Sequence, residues 1–347
     1  MSVVDIKPSY LVATTAGALV VAGIYLYKKQ QENKIPTKWK PVAEVKNIYL
    51  YPLKSGQAIG MNEADCTPLG LQQTGNESFK LRDRSFVVYN EKSNGFVTAR
   101  TYPKMVLITL VEHLPLQNHV AIDAPGMRTL YVKVPSLDDD VRTEEITMWS
   151  NEKETALDCG DEAAVWFSRY ILEQDSGLRL GFYPSEKRRD ISKSHVKHLK
   201  SYKNLSNEAT GMFSDLSSYM IINEASIQEL NTRLTSPVTH RNFRPNIVVE
   251  GKESPAFAED TWIWVKVGDV VFRHVKHCTR CVFTTIDPLT SVRSREREPL
   301  KTLETYRQLG EHLNVHNFES KSVVMGVNLE LKKAGVIHVG DTVFIPE

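Results

Sequence analysis

Apolar residues in this chain recur mostly at every second position, in short runs closed by glycine, proline, asparagine or aspartate. That period puts side chains on alternate faces of an extended backbone, so it predicts strands rather than helices. Strands are expected from Val42 to Leu50, Phe86 to Tyr89, Val106 to Glu112, Thr129 to Val134, Glu145 to Trp149, Tyr219 to Ile222 and Ile247 to Val249. Trp262 to Val267 alternates, Gly268-Asp269 turns and Val270-Val271-Phe272 returns, a hairpin that leads toward a cysteine pair. Lys332 to Pro346 offers a closing pair of strands around Gly340-Asp341. Two stretches carry helical spacing. One opens at Asp158-Cys159-Gly160-Asp161 and places Ala164, Val165, Phe167, Ile171 and Leu172 on one side; the other runs from about Glu224 to Leu234 behind Asn223, a candidate N-cap. The fold class predicted is α+β and mainly β, a barrel with α insertions.

One apolar run does not alternate. From Tyr10 to Tyr27 its 18 residues carry no charge, close to the ~20 that a helix needs to cross a bilayer. Tyrosines at both ends suit the two interfaces. A cleaved signal would want a strongly basic start and a small-x-small site, whereas this run ends in Tyr27-Lys28-Lys29 and reads as a retained single-pass anchor. Lys28, Lys29, Lys34, Lys38 and Lys40 follow the run and only Lys7 precedes it, which puts the main body on the cytoplasmic side. The expected division is anchor and linker over 1–40, a β-rich N-terminal domain over 41–180 and a second domain over 181–347. The first strand and the turn at 51–56 are expected to contribute to the site of the second domain.

Composition narrows the chemistry. Lysine and arginine number 43 against 42 acidic residues, so the net charge of +1 gives no footprint of a nucleic-acid binder, and charge must be read locally. Four cysteines in 347 residues, one close pair and two singles, make no disulfide framework and fit a reducing compartment. Neither Gly-x-Gly-x-x-Gly nor Gly-x-x-x-x-Gly-Lys-Ser/Thr occurs, which argues against a nicotinamide or nucleotide site.

The candidate chemistry gathers around His277-Cys278-Thr279-Arg280-Cys281. Cys-x-x-Cys can be half of a zinc site, a dithiol redox pair or two buried small residues. A zinc site wants a second pair, and Cys66 and Cys159 stand alone; a redox pair wants a helix after it, and Val282 to Pro288 reads as strand passing into turn. Arg280 favours a thiolate on its neighbour Cys281. Lys54 and Ser55 lie on a turn between Pro52 and Gly56, Arg84 precedes the run Phe86 to Tyr89, and Arg244 and Asn246 flank Pro245, so each presents a donor from a turn, suited to a phosphate or carboxylate. Ser217 and Ser218 sit before another strand-like run. The simpler readings are a solvated lysine, a surface ion pair between Asp83 and an adjacent arginine, and a rigid turn at a barrel corner.

Cys278-Thr279-Arg280-Cys281 followed by Thr284-Thr285-Ile286-Asp287-Pro288 resembles the signature of the molybdenum cofactor sulfurase C-terminal (MOSC) domain family. From the first hydrophobic segment onward the chain is similar to the mitochondrial amidoxime-reducing components, membrane-anchored molybdenum enzymes of that family. The resemblance implies a MOSC-type barrel behind a MOSC N-terminal domain, and a molybdenum-molybdopterin cofactor whose metal is bound by the second cysteine of the motif, here Cys281. Lys54, Ser55 and Arg84 fall where the family contacts the pterin, and Arg244 and Asn246 match its Asn-x-Arg-Pro-Asn element. Thr279 and Arg280 lie inside the motif, Arg280 steadying the thiolate, and Ser217 adds a hydrogen bond. The reaction implied is reduction of small N-hydroxylated substrates such as amidoximes to the amidine and water. Electrons come from NADH through cytochrome b5 reductase and cytochrome b5, on a mitochondrial outer membrane whose cytosolic face carries the catalytic body. The basic stretch from Lys187 to Lys200, read as a polar loop, is the candidate dock for an acidic cytochrome. The competing readings are a non-catalytic carrier of the cofactor or of sulfur, and a tethered interaction protein without metal.

Overall fold

Alternating burial runs along the first strand, β1 (Trp39–Leu50): Ala43 and Val45 are buried, and after a register shift Ile48 and Leu50 are. A second shift falls between Pro41 and Ala43, where proline has no amide to give the ladder. The computed structural model describes residues 34–75, 79–113, 115–252 and 254–347, and Trp39–Glu347 forms one unit. The expected anchor from Tyr10 to Tyr27 lies outside the described residues; among those described, no helix is long and apolar enough to cross a membrane.

Six further strands complete a barrel: β2 (Tyr219–Asn223), β3 (Ile247–Glu250), β4 (Trp264–Val267), β5 (Val270–Thr279), β6 (Val324–Lys333) and β7 (Thr342–Pro346). Their order is β3-β2-β6-β5-β4-β7-β1, and β1 pairs back onto β3 to close the ring. β2 and β3 are parallel, as the helix Glu224–Asn231 crossing between them requires. Closure removes exposed strand edges, and Val45, Tyr219, Ile221, Val249, Phe272, Leu329 and Val343 belong to the core. Each such buried side chain contributes roughly 1.5–3 kcal/mol. The chain's first strand thus sits between its last strand and β3, so residues just after position 50 emerge beside residues near position 245.

Three smaller sheets flank the barrel. Phe86–Asn90, Leu178–Phe182, Lys153–Asp158 and Thr143–Thr147 form one; Thr109–Glu112, His119–Asp123 and Leu130–Lys133 a second; Glu63–Thr67 lies between Gly70–Gln72 and Gly335–His338 in the third. The helix Asp161–Leu172 buries Trp166, Phe167 and Ile171. Asn223 caps the helix Glu224–Asn231 as expected, its side chain accepting from the Ala225 amide.

Four local expectations change. Pro103 starts a 3-10 turn over Pro103–Leu107, so the strand expected from Val106 begins at Thr109. The closing pair in Lys332 to Pro346 separates into two sheets, the chain turning at Gly340 with φ 91°. Val282–Thr285 is a 3-10 turn and not a continuation of strand. The stretch from Lys187 to Lys200, expected as a polar loop, has no helix or strand up to His195, buries Arg189 and His195 at 2% and 4% exposure, and then enters the helix Val196–Ser201.

Candidate functional site

Barrel closure brings the turn after β1 against the turn before β3, and both fold onto the residue run before Phe86. The Lys54 amide donates to the Phe86 carbonyl at 2.8 Å, and the Arg84 amide donates to the Tyr51 carbonyl at 2.7 Å. A Cβ at Gly56 would stand 2.8 Å from the Leu53 Cβ, so that turn closes this tightly only with glycine. Ser55, Arg84 and Arg244 have φ of 69°, 53° and 54°, in the left-handed region that side chains avoid. Strain of this kind costs on the order of 1 kcal/mol or more per residue and concentrates at functional sites. These three were singled out from the sequence; Ser150, on the same walls with φ 57°, was not.

Those turns, β5 and the loop before β2 enclose a cavity of about 480 Å³. Lys54, Ser55, Arg84, Ser217, Arg244, Asn246, Thr279, Arg280 and Cys281 all line it. No member of that set falls elsewhere, although 227 positions separate the first from the last (281 − 54).

Charge on the walls is unevenly compensated. Lys54 donates to Asp215 at 2.6 Å and to the Phe213 carbonyl at 2.7 Å; Lys276 donates to Glu319 at 2.7 Å. Burial pulls the Lys54 ammonium down from its ordinary value, with Asp215 opposing. Burial pushes the Asp215 and Glu319 carboxyls up, but cationic and hydrogen-bonding neighbours outweigh it and hold both well below the usual carboxylate range. Of Arg84, Arg244 and Arg280, only Arg84 meets a carboxylate among the described residues. Asp83, 2% exposed, accepts from Arg84 and from the Tyr51 amide at 3.0 Å. Arg244 donates to the Gly56 carbonyl at 2.7 Å, and Arg280 to the Phe243 and Met325 carbonyls at 2.9 and 2.8 Å. Among the described residues neither has a carboxylate in ion-pair range. Arg84 and Arg244 stack on the Tyr51 ring at 4.5 and 4.2 Å, and burial lowers the Arg244 guanidinium to about 10. A wall holding three guanidiniums against one carboxylate is complementary to an anion.

The two cysteines differ. Cys278 also lines the cavity but packs against the cluster of Tyr51, Phe243 and Met325, and burial pushes its thiol up. Cys281 is half-buried on the cavity wall, just past the end of β5. Its carbonyl accepts from the amide and hydroxyl of Thr284 at 3.1 and 3.0 Å, which fixes its backbone at the head of the 3-10 turn. Among the described residues no three His, Cys, Asp or Glu side chains converge as a metal cage. A cysteine on a wall with a surplus of cations fits a metal whose other ligands come from an anionic organic cofactor.

Several hydroxyl protons at the site are already committed. Ser217 donates to the Leu329 carbonyl at 2.6 Å and Thr279 to Glu319 at 3.1 Å, so toward a ligand each offers only a lone pair. Asn246 accepts from the Met220 amide at 3.2 Å and donates to the Tyr49 carbonyl at 3.3 Å, bracing β1 against β2.

Sequence reasoning missed part of the walls. Asp83 pairs with Arg84 as the simple reading held, but in the interior, while Arg82 takes the surface partner Glu186. Trp149, His195, His198, Lys276 and Glu319 line the cavity without any local signature. A buried tyrosine hydroxyl with no partner among the described residues, that of Tyr51, was equally silent in the sequence.

With this geometry in place, the class is a two-part MOSC protein: residues 42–174 match the MOSC N-terminal beta barrel domain and residues 208–344 the MOSC domain. The chain is 33% identical to mitochondrial amidoxime reducing component 2 of Rattus norvegicus over 337 residues, 96% of this chain and 92% of that one. It is 33% identical to mitochondrial amidoxime-reducing component 1 of Homo sapiens over 343 residues, 98% and 94% of the two chains, and to that of Danio rerio over 335 residues, 96% and 93%. The chain belongs to the amidoxime-reducing component family of MOSC proteins.

Proposed function

We propose that this chain is a molybdenum enzyme that reduces N-hydroxylated compounds, amidoximes among them, to the parent amidine or amine. The observation that carries the reading is the convergence of all nine assigned residues on one cavity of about 480 Å³. Cys281 would hold the metal, and Arg84, Arg244, Lys54 and Ser55 would hold the pterin and its phosphate. Molybdenum, when bound, supplies the two-electron chemistry that removes oxygen from nitrogen.

The residues supply placement. Arg84 and Arg244 are set by Tyr51 and by main-chain bonds before any ligand arrives, so an anion meets donors that lose little further freedom. Arg280, fastened to two carbonyls, keeps a fixed positive charge next in sequence to Cys281. The 3-10 turn holds Cys281 at the wall, while Cys278 anchors the same segment in the apolar cluster.

Electrons are assigned to cytochrome b5 and its NADH-dependent reductase, and the place of work to the mitochondrial outer membrane with the body facing cytosol, held by the apolar run from Tyr10 to Tyr27. Lys197 and Lys200 project from the helix Val196–Ser201, whose neighbour His195 lines the cavity, so this segment joins a basic surface to the site. The test is steady turnover of benzamidoxime by purified, molybdenum-loaded protein with an artificial electron donor. Benzamidine is the expected product. Retained molybdenum with no turnover would contradict the enzyme and leave a carrier of the cofactor.

A further inference from the structure

Resting on that reading, the cations lining the cavity divide into those that the protein or the assigned cofactor uses and one that neither does. Arg84 and Arg244 face the pterin and its phosphate by that assignment. Lys54 is matched by Asp215 and Lys276 by Glu319, at 2.6 and 2.7 Å. Arg280 directs donors from all three of its side-chain nitrogens at the Phe243 and Met325 carbonyls. Arg100 is left. It is half-buried on the cavity wall, yet among the described residues its guanidinium has no hydrogen bond and no carboxylate in ion-pair range.

An aromatic ring holds it there. The Arg100 guanidinium stacks on Trp149 at 4.3 Å, which occupies its face and leaves its N–H edge unused. Trp149 is fixed in turn, edge-on to Phe96 at 4.6 Å and with Nε1 donating to Asp215 at 2.9 Å. Ser150 and Asn151, with φ of 57° and 59°, turn the chain directly after it, and the Glu152 amide donates back to the Trp149 carbonyl at 3.1 Å. Asp215 feels the Arg100 charge, but its Oδ1 is taken by Lys54 and by the indole. The main chain of Arg100 is tied to the segment that carries Cys281. Its carbonyl accepts from Arg293, which bridges to Ile286 just beyond the turn Val282–Thr285 that Cys281 heads. A guanidinium held in place before any ligand arrives loses little further freedom on binding one.

We propose that Arg100, positioned by Trp149, is a specificity residue that binds a carboxylate on the substrate, so that the preferred N-hydroxylated compounds are anionic. Guanidinium and carboxylate pair through two parallel N–H···O bonds, which fix orientation as well as adding affinity. The substrate's carboxylate keeps its charge while the N–O bond breaks elsewhere in the molecule. The contact is therefore equally strong before and during the reaction, and it acts on KM and not on kcat.

The test compares 4-carboxybenzamidoxime with benzamidoxime on full-length, molybdenum-loaded protein. The wild type is expected to favour the carboxylated compound by roughly tenfold in kcat/KM. Arg100→Gln should bring that ratio to about one, through the KM of the carboxylated compound, and Arg100→Lys, which keeps the charge without the fork, should fall between. Trp149→Leu should lower the ratio about threefold. Equal kcat/KM for the two compounds in the wild type, or an unchanged ratio in Arg100→Gln, would overturn the inference and leave the enzyme standing. Loss of molybdenum or pterin from Arg100→Gln would also overturn it, by giving this charge to the cofactor. If the wild type turns over neither compound, the reductase reading fails, and calorimetric titration of the same two amidoximes without an electron donor still decides. Tighter binding of the carboxylated compound that disappears in Arg100→Gln supports the inference; equal binding of the two overturns it.

Discussion

Arg189, buried behind the loop that carries Asp215, and Arg244, on the cavity wall, live under opposite rules. Arg189 is buried and saturated, donating to Glu152 at 2.9 Å and to the Gly211, Ser214 and Asp215 carbonyls at 2.9, 2.8 and 3.1 Å. It holds the loop that carries Asp215, the partner of Lys54. Arg244 has the Gly56 carbonyl, an aromatic face and another arginine, Arg84, close by. The first arrangement is complete without a ligand; the second has cationic capacity left over. Both residues are arginines in polar surroundings, so the difference between scaffold and binding wall lies in how far the protein's own anions and carbonyls use up the donors.

Breaking the saturated side should cost most. Arg189→Ala leaves Glu152 charged and buried, and the expected loss is roughly 3 to 5 kcal/mol of stability, read from the denaturant midpoint. Glu259 sharpens the point from the carboxylate side. It is fully buried, bonded by Ser226 and the Asn223 amide and, among the described residues, by no cation, and burial raises its carboxyl to about 7. A carboxyl raised in the folded state stabilises fully below its unfolded value near 4.5 and loses that contribution as pH rises through about 7. Glu259→Gln should therefore gain stability over the wild type at pH 8, on the order of 3 kcal/mol at most, and the gap should close toward pH 4.5. A gap independent of pH would contradict a raised carboxyl.

On the unsaturated side the expectation reverses. Arg244→Gln should change the stability of cofactor-free protein by less than about 1 kcal/mol, because one hydrogen bond is lost as burial of a surplus charge is relieved. Binding of molybdopterin should weaken by tenfold or more, measured as pterin retained after gel filtration. Ser217→Ala is the smallest effect. With its proton committed to Leu329, the hydroxyl contributes about 1 kcal/mol to folding, and cofactor retention should hold.

How much of this was legible follows the same division. Strand alternation, the Asn223 cap and the hairpin at Gly268 are local, and they read correctly. The turns carrying Lys54, Arg84 and Arg244 were visible through proline, glycine and motif. The saturated network was not, because Arg189 is satisfied by Glu152 and by carbonyls of residues 211–215, partners that sequence order does not bring near. Its composition, basic and polar, read as a loop. The same blindness hid Asp83, whose two flanking arginines suggested an exposed pair.

The most direct measurement is the molybdenum content of purified protein carrying Cys281→Ala, set beside wild type and Cys278→Ala. The account expects metal in the wild type, its loss in Cys281→Ala and its retention in Cys278→Ala, whose sulfur is packed among apolar side chains. Equal molybdenum in the wild type and Cys281→Ala would contradict it.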